Sequence, residues 1–309
     1  MKEEIAYWMA LAHTEHIYTK RKNEIIVACY NKKVSIVDFF QANEEQWKNE
    51  YMVKEEEIEF LNEAKSKVAN YSFTAEDLLE QGYKIIPITS EVYPAAVKKN
   101  LKYNSPVIFY TKGNTALLNQ KSVAIVGSRN AKPISLTFTD NIAKSSAQRE
   151  MTVVSGYAKG VDREALEASV AVGGTSIIVL PQGITTFGTG FKALHKYIST
   201  GKVVVVSAFA PTAPWSVGLA MARNPIIYAF ADEIYVAESD NKGGTFAGVT
   251  DGLKKNRVIY VRLADNKEKC ANQQLINMGA VAVDINGNIA EVNIPQEKTY
   301  KEMSIFGNE

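Results

Sequence analysis

Only two cysteines, Cys29 and Cys270, occur in the 309 residues, and they lie far apart. That supply fits neither a disulfide framework nor a cysteine zinc site, and it suits a reducing cytoplasm. Histidine is also sparse. His13 and His16 fall in a helical N-terminus, and His195 falls in a helical segment with no nucleophile beside it. His195 therefore reads as a surface or core residue. The sequence contains no HExxH, no GxSxG and no P-loop, so three common hydrolase chemistries lack their signatures. No run of about 18 apolar residues occurs, and no membrane span is expected. The N-terminus lacks the basic start and long apolar core of a signal peptide. Net charge is +1, which excludes a global basic field. A polyanion would have to be held by a local patch.

What the chain does have is a change of rhythm. Residues 1–82 read as a helical N-terminal domain, with Ile5, Trp8, Met9 and Leu11 at helix spacing. "SFTAEDLLEQG" reads as a short capped helix that stops at Gly82. "YKIIPI" and "SPVIFYTKG" read as strands. From Lys121 onward, short apolar runs alternate with helix-length segments: "SVAIVG", "MTVVSG", "TSIIVL", "KVVVVSAF", "EIYVAES", "RVIYVR" and "AVAVD". Runs that are apolar throughout are buried on both faces, which predicts βαβ units and a parallel sheet. The expected fold class is α/β: an extended Rossmann-like, doubly wound, mostly parallel sheet over residues 83–291, behind the small helical domain. Residues 292–309 read as a polar C-terminal tail.

Ligands of such sheets sit outside the carboxyl ends of the strands, at the switch in strand order. Glycine-bearing turns follow several strands directly. They carry Gly127, Gly156, Gly160, Gly183, Gly243 and Gly244, with Ser128 and Thr245 as hydroxyl donors. Helices are expected to begin near Ile134, Asp162 and Thr245, where terminal amides point at an anion. Arg129, Lys159, Arg223 and Lys242 would add charge. Arg129 is the sharpest of these, since a guanidinium matches a phosphate bidentately. Asp162 reads as an N-cap ahead of a catalytic acid. Lys254, Lys255 and Arg257 read as a solvated helix end. The set is rich in donors and poor in acids, bases and nucleophiles. It suits binding a polyanion better than transforming a small molecule, with no catalytic residue, no metal and no cofactor expected.

Taken in order, Tyr93-Pro94, "VAIVGSR", "VVSGYAKGVDREALEASVAVGGTSIIVLPQGI", Ala222 to Asn224 and "KGGTFAG" resemble the DNA-processing protein A family, DprA, also called Smf. The likeness runs from about Tyr93 to about Arg262, and the "YWMAL" of the helical start adds a weaker match. The resemblance implies a cytoplasmic, non-enzymatic, dimeric protein that binds single-stranded DNA and helps load the RecA recombinase during natural transformation. By motif, Gly127, Ser128 and Arg129 would grip backbone phosphates, with Arg223 and Asn224 lining the same pocket. Gly183 would lie in a DNA-contacting loop, and Phe187 would stack on a base. Gly156, Lys159, Lys242, Gly243, Gly244 and Thr245 complete the expected phosphate set.

Three motifs depart from the family. Pro225 follows Asn224 where an arginine is common, "PQGITTFGTG" differs from the usual third-strand loop, and "KGGTFAG" replaces a Ser-Gly-Ser type sequence. No winged-helix domain is expected after the sheet. Near the C-terminus, Glu302 to Phe306 ("EMSIF") resembles a sliding-clamp-binding peptide, although packing of the tail would explain the same residues. The alternative function is a nucleotide-binding sensor or a nucleoside-monophosphate-processing protein of a related fold. A third is a partner-binding scaffold.

Overall fold

Every run read as a strand from the sequence forms one, and all nine join one sheet. The computed structural model describes residues 2–265 and 267–291. Six helices come first: α1 (Lys2–Ala12), α2 (Thr19–Lys32), α3 (Ile36–Gln41), α4 (Glu44–Tyr51), α5 (Glu55–Ser66) and α6 (Val68–Glu80). Local chemistry sets their starts. Ser35 with Asp38, and Asn43 with Gln46, form reciprocal capping boxes that open α3 and α4. The helix expected to begin at Ser72 begins instead at Val68, because Lys67 both ends α5 and opens α6 without a break at the serine.

The sheet region runs β1 (Lys84–Pro87), α7 (Ala95–Leu101), β2 (Ile108–Gly113), β3 (Ser122–Val126), α8 (Pro133–Gln148), β4 (Thr152–Ser155), α9 (Val161–Ala171) and β5 (Ser176–Val179). It continues with α10 (Gly188–Ser199), β6 (Val203–Ser207), α11 (Val217–Phe230), β7 (Glu233–Val236), α12 (Gly244–Lys254), β8 (Tyr260–Arg262), α13 (Asn272–Asn277) and β9 (Val281–Val283). Strand order is β1-β2-β6-β5-β4-β3-β7-β8-β9. From β6 to β9 every pairing is parallel, and β2 pairs antiparallel with both β1 and β6. The chain thus starts its parallel winding at β3, proceeds outward through β4, β5 and β6, then returns to the other side of β3 with β7. Winding reverses between β3 and β7, and a crevice opens there.

The apolar strands still obey the two-residue period. Val123 and Ile125 of β3 pack with Phe138, Ile142 and Ala165 of α8 and α9. Ala124 and Val126 face the opposite layer, with Ile226, Ile227 and Phe230 of α11. In β6, Val204 and Val206 join that second layer, whereas Val203 and Val205 join a core that includes Trp8, Met9, Leu11 and Leu61 of the helical N-terminus. All four valines are fully buried. Each contributes about 1.5–3 kcal/mol of apolar transfer. Residues on both sides of the sequence boundary near residue 83 therefore share one continuous core. Among the described residues no helix is long and apolar enough to cross a membrane.

Candidate functional site

A cleft of about 430 Å³ opens at the β3/β7 switch. It is built from three segments that leave the sheet at its carboxyl edge. The first is the turn Gly127 to Asn130 after β3. Here Ser128 N–H donates to the Glu238 carbonyl at 2.9 Å, and its hydroxyl accepts from Asn130 N–H at 3.1 Å. The turn is braced from below by Glu238, a buried carboxylate just past β7. It accepts from Lys132 N–H at 3.0 Å and from the Ser135 hydroxyl at 2.6 Å. Arg262 donates to the same hydroxyl at 3.0 Å and to both oxygens of Glu268. Sequence reasoning missed Glu238. Its signal was an acid directly after an apolar strand, a position where a buried charge persists only with partners.

The second segment is the floor. Arg223 of α11 is buried, and its Nη1 donates to the Val179 carbonyl at 2.7 Å, while its Nε has no hydrogen-bond partner. Burial lowers its pKa, the like charge of Arg129 adds to that, and Asp162 opposes it. A guanidinium starts so high that it stays charged. Asp162 is buried beside it, and burial raises its pKa against the pull of Arg223. Asp162 is not the N-cap expected from the sequence. Gly160 (φ +83°) occupies that position, and the Asp162 carboxylate accepts from Gly156 N–H at 3.1 Å. It closes the loop before the helix, because the left-handed turn at Gly160 starts α9 two residues earlier.

The third segment is Asp240 to Thr245, with Gly243 (φ +99°) at the start of α12. Gly244 lets Asn224 close in: a Cβ there would meet Asn224 Nδ2 at 2.4 Å. Across the mouth lies Trp215, 48% exposed, with the Arg129 guanidinium 5.9 Å above its ring. Met221 and Val217 extend this exposed apolar lip. Trp215 was also missed. Its signal was a tryptophan in the Pro-rich loop "APTAPW" between a strand and a helix.

Of the thirteen residues singled out from the sequence, Gly127, Ser128, Arg129, Arg223, Asn224, Lys242, Gly243, Gly244 and Thr245 line this cleft. Four do not. Gly156 lies behind Arg223, and its missing side chain makes room for the guanidinium. Lys159 is exposed on the loop outside the lining. Gly183 is buried against the Ala210 and Pro211 carbonyls, and its N–H donates to Ala213. Phe187 packs edge-on between Tyr157 and Phe191, each 5.3 Å away, because it covers the helical core rather than the cleft. At the expected solvated helix end Lys254 and Lys255 are exposed, and Arg257 alone differs. Lys255 pairs with Asp251 at 2.7 Å, and Arg257 is half-buried with its guanidinium on the Tyr228 and Ala231 carbonyls. Residues 302–306 lie outside the described residues. Among the described residues no cluster of acids, histidines and cysteines has metal-site geometry.

The cleft presents backbone amides, the Ser128 and Thr245 hydroxyls and three cations, Arg129, Arg223 and Lys242, around an aromatic lip, with Asp162 and Asp240 in the same lining. Such a surface suits a phosphate-bearing ligand with an exposed flat base. A family model described as DNA recombination-mediator protein A matches residues 84–293, more than half of the chain. DNA processing protein DprA of Bacillus subtilis is 26% identical over 223 residues, covering 70% of this chain and 74% of that protein. DprA of Streptococcus pneumoniae is 28% identical over 181 residues, covering 58% and 63%. The X-ray structure of Streptococcus pneumoniae DprA superposes with a TM-score of 0.68 at 21% identity, over 90% of this chain and 94% of that one. Helicobacter pylori DNA processing protein A, which has a single-stranded DNA binding mode, gives a TM-score of 0.55 at 23% identity, over 65% and 90%.

Proposed function

The chain belongs to the DNA recombination-mediator protein A family, DprA/Smf, and from that premise we propose that it binds single-stranded DNA in the switch-point cleft and hands it to a RecA-type recombinase. The supporting observation is convergence. Nine residues from three separate segments, the turns after β3 and β7 and the middle of α11, line one crevice. In this reading Arg129 clamps a backbone phosphate at the mouth, Lys242 faces it across the α12 terminus, and the amides of Gly243 to Thr245 point at the same charge. Arg223 supplies a buried positive field from the floor. Trp215, rather than Phe187, offers its ring to a base, a contact typically worth about 1–3 kcal/mol. A dimer presenting two such clefts would hold two stretches of one strand.

The test is a gel shift with labelled single and double strands at two salt concentrations. Single strands should bind preferentially and lose affinity steeply with salt. Arg129→Ala should weaken binding for every sequence and reduce the slope of log K against log salt by about 0.7, the value of one single-strand phosphate contact. Absence of single-strand binding at low salt would overturn the proposal. Recombinase loading is tested separately, by whether the protein speeds RecA filament formation on strands already covered by a single-strand-binding protein.

A further inference from the structure

A second and larger cleft, of about 790 Å³, adjoins the first. The two share four wall residues, Met221, Asn224, Tyr228 and Gly244. They adjoin over the middle of α11 and the start of α12. The second cleft has mostly apolar walls, including Pro225, Ala229 and Ala247. Its rim carries Lys20 from α2, Lys99 from α7 and Lys102 just beyond α7, all exposed. None of these three ammonium groups is in an ion pair among the described residues, whereas the rim acid Asp251 is already paired with Lys255. Tyr103 stands beside them, 46% exposed. Apolar walls beneath unpaired cations, with an aromatic ring at the edge, form the surface expected for nucleobases below and phosphates above.

The rim is held rigidly. Asn23, buried on α2, donates to the carbonyls of Tyr103 and Ser105, both at 2.8 Å. Asn100 of α7 donates to the Ala229 carbonyl at 2.8 Å, fixing α7 to α11. Lys102 itself is held at φ +52°, a conformation that lysine rarely adopts. Such positions persist only where the surroundings over-determine them, and they recur at ligand clamps.

We infer that the second cleft continues the first as a single track for one nucleic-acid strand. Lys20, Lys99 and Lys102 contact successive phosphates and Tyr103 stacks on a base. This rests on the reading of the first cleft given above and extends it. The ligand is then a polymer, and its footprint runs from Trp215 across Asn224 to the α7 rim. Pro225 sits at the junction as a flat apolar wall.

Fluorescence anisotropy with labelled oligo-thymidines of graded length tests this. The shortest would fill only the first cleft, and the longest would be several times that length. The double variant Lys99→Gln/Lys102→Gln should bind the shortest oligomer like the unaltered chain and the longest several-fold more weakly. Its salt slope on the longest should fall by about 1.4, two single-strand contacts at about 0.7 each. Tyr103→Ala should weaken only the long oligomers, and Tyr103→Phe should restore them. A control pair on the helical layer, Lys33→Gln/Lys65→Gln, should change neither length. Unchanged binding of the longest oligomer by the double variant, or equal loss at every length, overturns the track and leaves the first cleft standing. Failure of the unaltered chain to bind any length overturns both.

Discussion

A Cβ placed on Gly156 would lie 1.7 Å from Nη1 of Arg223. The glycine after β4 is there for the arginine of α11, whose guanidinium fills the space a side chain would need. Gly156→Ala should therefore push the guanidinium out of its contact with the Val179 carbonyl. Overpacking of this kind costs about 1–3 kcal/mol. Urea unfolding should show that loss, and strand binding should weaken in the same variant. Gly188→Ala, where nothing lies within 4 Å of the added Cβ, should do neither.

Trp215 provides an internal reporter. Trp8 and Trp47, the other two tryptophans, are 5% and 1% exposed within the helical core. Quenching of the emission by oligo-thymidine should therefore come from Trp215. Trp215→Phe should abolish the signal and retain most of the affinity. Trp215→Ala should lose both, with an affinity cost of about 1–3 kcal/mol in titrations.

Glu238 braces the turn from Gly127 to Asn130 without touching the cleft. Glu238→Ala leaves Lys132 N–H and the Ser135 hydroxyl without their acceptor, and buried unsatisfied groups cost about 1–3 kcal/mol each. Faster hydrogen exchange should appear at residues 127–132 before the rest of the sheet. Strand affinity should fall even though no ligand contact has been removed.

His13 should make stability fall in acid. Its ring meets the Tyr110 hydroxyl at 2.7 Å, stacks on Tyr110, lies tilted against Tyr71, and feels the charge of the buried Lys22 ammonium. Burial first, and Lys22 second, push its pKa down to about 3. The folded state thus keeps the ring neutral while the unfolded chain takes up a proton below about 6.5. The contribution is complete above pH 6.5 and is lost as pH falls from there towards 3. The slope is at most about 1.4 kcal/mol per pH unit, because a single ring takes up a single proton. His13→Gln should flatten that part of the stability profile in urea titrations at successive pH values.

The sheet was legible because its strands are short, apolar and separated by helix-length segments, a pattern that only a covered parallel sheet satisfies. The turns after β3 and β7 were legible for a related reason: glycine, serine and arginine directly after a strand carry their chemistry in the local sequence. The rest depended on distant partners. Gly156 looked like a ligand-facing glycine until Arg223, far along the chain, occupied its space. Phe187 looked free to stack until Tyr157 and Phe191 closed around it. Trp215 sits in a loop with no periodicity to announce which way it faces. Glu238 matters only through a turn more than a hundred residues earlier.

The reversal of winding at β3 has a consequence for how this binding surface could have changed over time. The crevice exists because the connections on either side of β3 lead away from each other, and no side chain is needed to create it. Replacing Arg129, Asn224 or Trp215 would leave the furrow in place and alter only its furnishing. New occupants are thus open to this architecture at little risk to folding, and the side chains along the crevice, not the fold, decide what it can hold.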